Sequence, residues 1–133
     1  MILILKSELD NDMSISFTKS GSTIPSIGLG TWELNGSDCS RVVTEALEIG
    51  YRHIDGAAMY ENESEVGSAI INSGVRREDI FLATKINTTG WTPSNGNGPF
   101  LKNIDISKSF EKSLKDLQTD YVDLLLIHWP RFE

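Results

Sequence analysis

Apolar positions along this chain follow two periods, and the alternation between them lays out its elements. Val42, Val43, Ala46 and Leu47 recur at the spacing of one helical face, as do Val66, Ala69 and Ile70, and then Ile106, Phe110, Leu114 and Leu117. Ser37 is placed to cap the first helix and Gly50 to end it, while the second starts near Asn62, takes Glu63 and Glu65 in its first turn and stops at Gly74. Between and around the helices lie short apolar runs that predict strands: Ile27–Gly30, Tyr51–Asp55, Ile80–Lys85 and Val122–Ile127. The last run is almost unbroken, the pattern of a strand buried on both faces. Upstream, Ile15–Thr18 and Ser22–Ile24 flank Lys19-Ser20-Gly21 and predict a β-hairpin with Gly21 at the turn. Asn87–Asn103 is rich in Gly, Asn, Thr and Pro without an apolar period, and predicts a long surface loop.

A hairpin, three strand–helix units and a fourth strand predict an α/β fold with a parallel sheet and right-handed crossovers. No boundary interrupts the pattern, so one domain is expected over 1–133, with 1–14 as an N-terminal extension and 15–133 as the folded part. Such folds bind ligands at the carboxyl ends of their strands, which singles out the residues that close them. Asp55 closes the second strand of the repeat, Lys85 the third and His128 the fourth, with Tyr60 in the loop after Asp55. Taken singly, each has an ordinary structural explanation. Four proton-transferring side chains on one rim point instead to a site.

Length and charge narrow the reading. The chain has 133 residues, about half of the roughly 250 of a complete eight-unit barrel. A net charge of −7 leaves no basic surface for nucleic acid or an anionic membrane. Cys39 is the single cysteine, which excludes an internal disulfide and reads as an inert helix thiol. The apolar opening Met1–Leu5 is too short for a signal-peptide core and runs into Glu8, Asp10 and Asp12. No stretch is long enough to span a membrane, so a cytoplasmic location is expected.

Several motifs resemble those of the aldo-keto reductase family. They are Gly28-Leu29-Gly30-Thr31-Trp32, Gly50–Asp55 with Ala57, Tyr60, Asn62 and Glu63, Thr84-Lys85-Ile86, and Asp120–Leu124 through Leu126–Pro130. The resemblance runs from about Ile15 to Pro130 and is nearest to short prokaryotic members similar to 2,5-diketogluconate reductases. It implies a (β/α)8 TIM-barrel-type fold, here its first half, and reduction of aldehydes or ketones with NADPH, NADH being the second option. By the same resemblance Asp55, Tyr60, Lys85 and His128 are the catalytic residues; Gly30, Thr31, Trp32 and Asp55 meet the cofactor; and Trp32, Met59, Asn87, His128 and Trp129 line the substrate cavity. Two positions depart from the family pattern: Gly56 where threonine commonly follows the aspartate, and Asn87 where a tryptophan often walls the cavity. No metal is implied. The full-length family implies a monomer, and the cofactor-binding segments of later strands are not in this sequence, so weak or absent activity is expected of the chain alone.

The chemistry fits these residue types. Carbonyl reduction needs a hydride at carbon and a proton at oxygen, and a phenol is a reluctant donor unless a cation stabilises the phenolate it leaves behind. Tyr60 is then the acid, Lys85 the cation, Asp55 the anchor of Lys85, and His128 the donor that orients the carbonyl. The same residues admit other readings. Gly28 and Gly30 begin a dinucleotide-type G-x-G, but Glu33 occupies the third glycine position. Glu61, Glu63 and Glu65 read as solvated partners of a helix N-terminus. His53 and Asp55 share one face of a strand and motivate a metal-dependent barrel hydrolase. The remaining alternative is a non-catalytic half-barrel that covers its open strand edges by associating with another copy.

Overall fold

The computed structural model describes residues 14–16, 23–96 and 104–130. A two-stranded antiparallel hairpin opens the chain, β1 (Ser14–Ser16) against β2 (Thr23–Pro25), with Ile15 opposite Ile24. The predicted turn at Lys19-Ser20-Gly21 lies outside the described residues, as does most of the N-terminal extension. Four parallel strands follow in sequential order, β3 (Leu29–Gly30), β4 (His53–Asp55), β5 (Phe81–Ile86) and β6 (Leu124–Ile127). Their crossovers carry α1 (Gly36–Glu48), α2 (Glu63–Asn72) and α3 (Ile106–Asp116). Sequential parallel order with one helix per crossover is the arrangement of one arc of an α/β barrel.

The helices form where the apolar period placed them. Cys39, Val43 and Leu47 of α1 and Val66, Ala69 and Ile70 of α2 pack with Ile54 of β4 and Leu82 of β5 into one buried core. Burial, with Glu65 nearby, pushes the Cys39 thiol up to about 11, which keeps it an unreactive thiol. Gly50 and Gly74 follow α1 and α2 with φ of 106° and 70°, the left-handed conformation that lets glycine end a helix. Ser37 does not cap α1. The capping position is Asn35, whose carbonyl accepts from Asp38 and Cys39 N–H, so Ser37 falls inside the first turn.

Gly67 permits a close approach of α2 to the end of α3. A Cβ there would lie 2.8 Å from Leu117 Cα and closer still to its carbonyl group, so only glycine lets α2 pass the end of α3. Arg77 fastens the opposite end of the sheet. Its guanidinium donates to Thr119 Oγ1, the Ile80 and Tyr121 carbonyls and Asp123 Oδ2, while Asp123 Oδ2 also accepts from Leu82 N–H.

The expectation that Val122–Ile127 is buried on both faces fails. Leu125, Leu126 and Ile127 are 37%, 40% and 41% exposed, because β6 is the last strand of the sheet and no described residue covers its outer side. No helix among the described residues is long and apolar enough to cross a membrane.

Candidate active site

The sheet register brings the site together. Asp55 ends β4 opposite Ala83 of β5, and Lys85 stands two residues further along β5 on the same face. From there the Lys85 ammonium donates to Asp55 Oδ1 at 2.7 Å and to the Gly56 carbonyl at 2.8 Å. The lysine side chain is 15% exposed and the Asp55 side chain 40%, so the pair is sheltered on the cation's side and open on the carboxylate's. A Cβ on Gly56 would make only ordinary contacts, 3.6 Å from the Ala83 carbonyl and 3.7 Å from Thr31 Oγ1. The departure at Gly56 therefore does not disturb the lysine, which uses the residue's carbonyl alone.

Tyr60 closes a 3₁₀ turn, Ala58–Tyr60, that ends where Glu61 adopts φ 57°. Its ring centre lies 5.3 Å from Lys85 Nζ and 5.4 Å from the His128 ring, which meets it edge-on. Among the described residues no hydrogen bond joins the Tyr60 hydroxyl to Lys85 or His128. The lysine's hydrogen bonds run to Asp55 and Gly56.

His128 continues the ladder one residue past β6, donating its backbone N–H to the Ile86 carbonyl at 3.1 Å. Burial, reinforced by the Lys85 ammonium and partly offset by Asp55, holds its pKa below the usual imidazole value. The ring is therefore neutral at pH 7, and its Nδ1 is buried without a partner among the described residues.

A cavity of about 540 Å³ opens on this group, lined by Trp32, Met59, Tyr60, Thr89, Trp91, His128 and Trp129. Trp32 packs on Tyr60 at 4.9 Å and on Trp91 at 5.5 Å, and Trp129 stacks on His128 at 5.7 Å. Asn87, expected on the wall, is not there. Its side-chain amide donates to the Trp91 carbonyl at 3.0 Å, and its Oδ1 accepts from Thr89 N–H and Thr89 Oγ1. The first part of the predicted surface loop is accordingly folded inward, with Thr89 buried; 97–103 lie outside the described residues. Thr89 and Trp91 escaped sequence reasoning, the available signal being a lone large aromatic within a Gly-, Asn- and Thr-rich stretch.

The expected cofactor contacts differ in exposure. A Cβ on Gly30 would meet no atom within 4 Å, which leaves open space beside it. Trp32 is exposed at the rim, whereas Thr31 is fully buried with its N–H and hydroxyl donating to the Asp55 carbonyl. Asn62 holds this turn from below, donating to the Thr31 and Leu34 carbonyls at 2.7 and 2.8 Å. The cavity lining suits an uncharged planar group and a carbonyl, and among the described residues it includes no Lys or Arg to hold phosphate. It fits the nicotinamide end of a dinucleotide and not the phosphate end.

His53 does not join a metal set with Asp55. Its ring packs edge-on against Phe81 and over Gly28, where a Cβ would come within 2.8 Å of it, and Nδ1 lies 3.4 Å from the Pro25 carbonyl. Among the described residues no three His, Cys, Asp or Glu side chains are grouped to hold a metal. Of the acidic trio, Glu65 lies in the first turn of α2 as read, and the other two differ. Glu63 is 5% exposed and accepts from Thr84 Oγ1 at 2.6 Å, and burial raises its pKa. Glu61 sits outside α2 and accepts from Ser94 N–H and Ser94 Oγ.

The model of the aldo/keto reductase family matches residues 26–133. An aldo-keto reductase of Mycolicibacterium smegmatis is 49% identical over 110 residues, 83% of this chain and 36% of that protein. Glycerol 2-dehydrogenase (NADP(+)) of Saccharomyces cerevisiae is 43% identical over 122 residues, 92% of this chain and 35% of its own length. The chain thus spans about a third of the curated relatives it matches. Among solved structures, an aldo/keto reductase from Brucella melitensis superposes with a TM-score of 0.72 at 42% identity, covering 90% of this chain and 43% of that one. A protein assigned as a 2,5-diketo-D-gluconic acid reductase B gives a TM-score of 0.72 at 38% identity, covering 92% of this chain and 40% of that one.

Proposed function

Because this chain belongs to the aldo/keto reductase family, we propose that it carries the proton-transfer half of an NADPH-dependent carbonyl reductase, with Tyr60 as the acid. The carrying observation is the Lys85–Asp55 pair placed behind Tyr60, whose ring meets His128 edge-on at the cavity. The hydride for the carbonyl carbon comes from bound NADPH, for which Gly30, Trp32 and Asp55 are the proposed contacts and Thr31 holds the turn behind them. NADPH is preferred over NADH because the yeast relative is a glycerol 2-dehydrogenase that uses NADP(+).

Tyr60 Oη gives its proton to the carbonyl oxygen, leaving a phenolate. The Lys85 ammonium stabilises that negative charge, and Asp55 with the Gly56 carbonyl keeps the ammonium from swinging away. A neutral His128 with its proton on Nε2 donates to the same carbonyl oxygen and turns the carbon toward the hydride. Trp32, Met59 and Trp129 exclude water from the reacting group. The substrate is a small aldehyde or ketone, and a cytoplasmic monomer is part of the same proposal.

In the protein that carries this chain, Tyr60→Phe is expected to lower kcat for aldehyde reduction by about 10²–10⁴-fold while NADPH still binds. Turnover retained in that variant removes Tyr60 as the acid. The 133-residue chain alone is expected to turn over weakly or not at all, since among the described residues no cation lines its cavity for the cofactor's phosphates.

A further inference from the structure

We propose that Trp91 is a specificity-determining wall of the cavity, selecting flat apolar carbonyl compounds over polyhydroxylated ones, and that Asn87 is the positioning residue that delivers it; this rests on the carbonyl-reductase reading above. An internal turn shapes the segment after β5, and two anchors hold it against the site. Asn87 donates to the Trp91 carbonyl and accepts from Thr89, which makes a compact turn of residues 87–91. Thr88 Oγ1 donates to the Trp129 carbonyl at 2.8 Å, tying the segment to the rim after β6. Glu61 accepts from Ser94 N–H and Oγ at 3.0 and 2.6 Å, tying it to the turn that carries Tyr60.

Held in this way, the Trp91 indole lies 5.5 Å from Trp32, tilted by 38°, and Trp32 in turn covers Tyr60. The result is an aromatic surface running from the cavity mouth to the proposed acid. The nearest hydroxyl gives a polyol little to bind. Thr89 Oγ1 donates its only proton to Asn87 Oδ1 and accepts from Trp91 N–H, so its polar capacity is largely taken up inside the turn. Beyond the indole edges, the remaining polar side chains among the described lining residues are the Tyr60 hydroxyl and the His128 imidazole, both assigned to the carbonyl oxygen. A flat aryl carbonyl finds a face to stack on, whereas a sugar-like aldehyde buries hydroxyls without partners.

The test uses the protein that carries this chain, with benzaldehyde and glyceraldehyde as probes. The ratio of kcat/KM for benzaldehyde over glyceraldehyde is expected to fall about fivefold in Trp91→Ala, the scale of one aromatic pair. Asn87→Ala is expected to reproduce most of that fall through KM, and the double variant to fall no further than Trp91→Ala. An unchanged ratio in Trp91→Ala overturns the wall, and additive losses in the double variant overturn the positioning role. Benzaldehyde binding followed by tryptophan fluorescence, without turnover, separates this proposal from the reaction itself. Weakening by about fivefold in Trp91→Ala supports the wall even where no reduction occurs, and equal affinity overturns it.

Discussion

His128 shows how a single residue's surroundings set its chemistry. Burial and the Lys85 ammonium lower its pKa, with Asp55 pulling the other way. The unfolded chain therefore takes up a proton near the ordinary value of about 6.5 that the folded chain refuses until lower pH. The unfolded state binds more protons in that window, so stability rises with pH through it. This contribution is complete above about pH 6.5 and is lost as pH falls through the folded value. The melting temperature of His128→Gln should accordingly decline less steeply between about pH 6.5 and 5 than that of the unaltered chain. Parallel declines in the two proteins would show that His128 titrates as it does in the unfolded chain. At this scale Asp55, Lys85 and His128 were legible because strand ends are where such folds collect polar residues. Glu63 was not, although it shares a stripe with Val66, Gly67 and Ile70 that the structure buries. A charged residue on a helix's first turn reads equally well as a dipole partner, and only its Thr84 neighbour on β5 distinguishes the two. Asn87 was misplaced for a related reason. An amide is as suited to closing a turn as to lining a wall, and the turn it closes is visible only through the Thr89 and Trp91 partners.

Among the elements, the helical periods were the dependable signal and the boundaries were less so. Each helix lies where its apolar stripe falls, and the stripes of α1 and α2 are buried in the core, whereas that of α3 is covered only in part, with Ile106 52% exposed. The start of α1 moved from Ser37 to Asn35 because a serine two residues past the cap satisfies the same pattern as one at the cap. Gly67 carries information that periodicity cannot: it counts as a weak helix position in sequence, yet in the fold it is the point where α2 passes the Leu117 backbone. Gly67→Ala would raise intrinsic helix propensity by up to about 1 kcal/mol. The clash outweighs that gain, because its partner is backbone and cannot rotate aside. A net loss of about 1–2 kcal/mol is expected, seen as a fall of several degrees in the melting temperature. A variant as stable as the parent would mean that α3 shifts freely against α2.

For the whole molecule, the alternation of strands and helices was enough to predict one arc of a parallel barrel, and the four-strand order confirms that arc. The burial of β6 was predicted wrongly because an apolar run reports what a strand is suited to, not what covers it here. That mismatch has a physical outcome. Among the described residues nothing pairs with the outer edge of β6, so its free N–H and C=O groups lie beside the exposed Leu125, Leu126 and Ile127. An apolar edge with open hydrogen-bonding groups recruits another strand when one is available. Produced alone, the 133-residue chain should therefore associate at micromolar concentration. Lysines at 125 and 127 should suppress that association, since these two residues share a face and the added charges disfavour edge pairing. Light scattering at several concentrations checks both halves. A unaltered chain that stays monomeric throughout would show that the edge is closed in solution, and association undiminished by Leu125→Lys with Ile127→Lys would place the contact on some other surface.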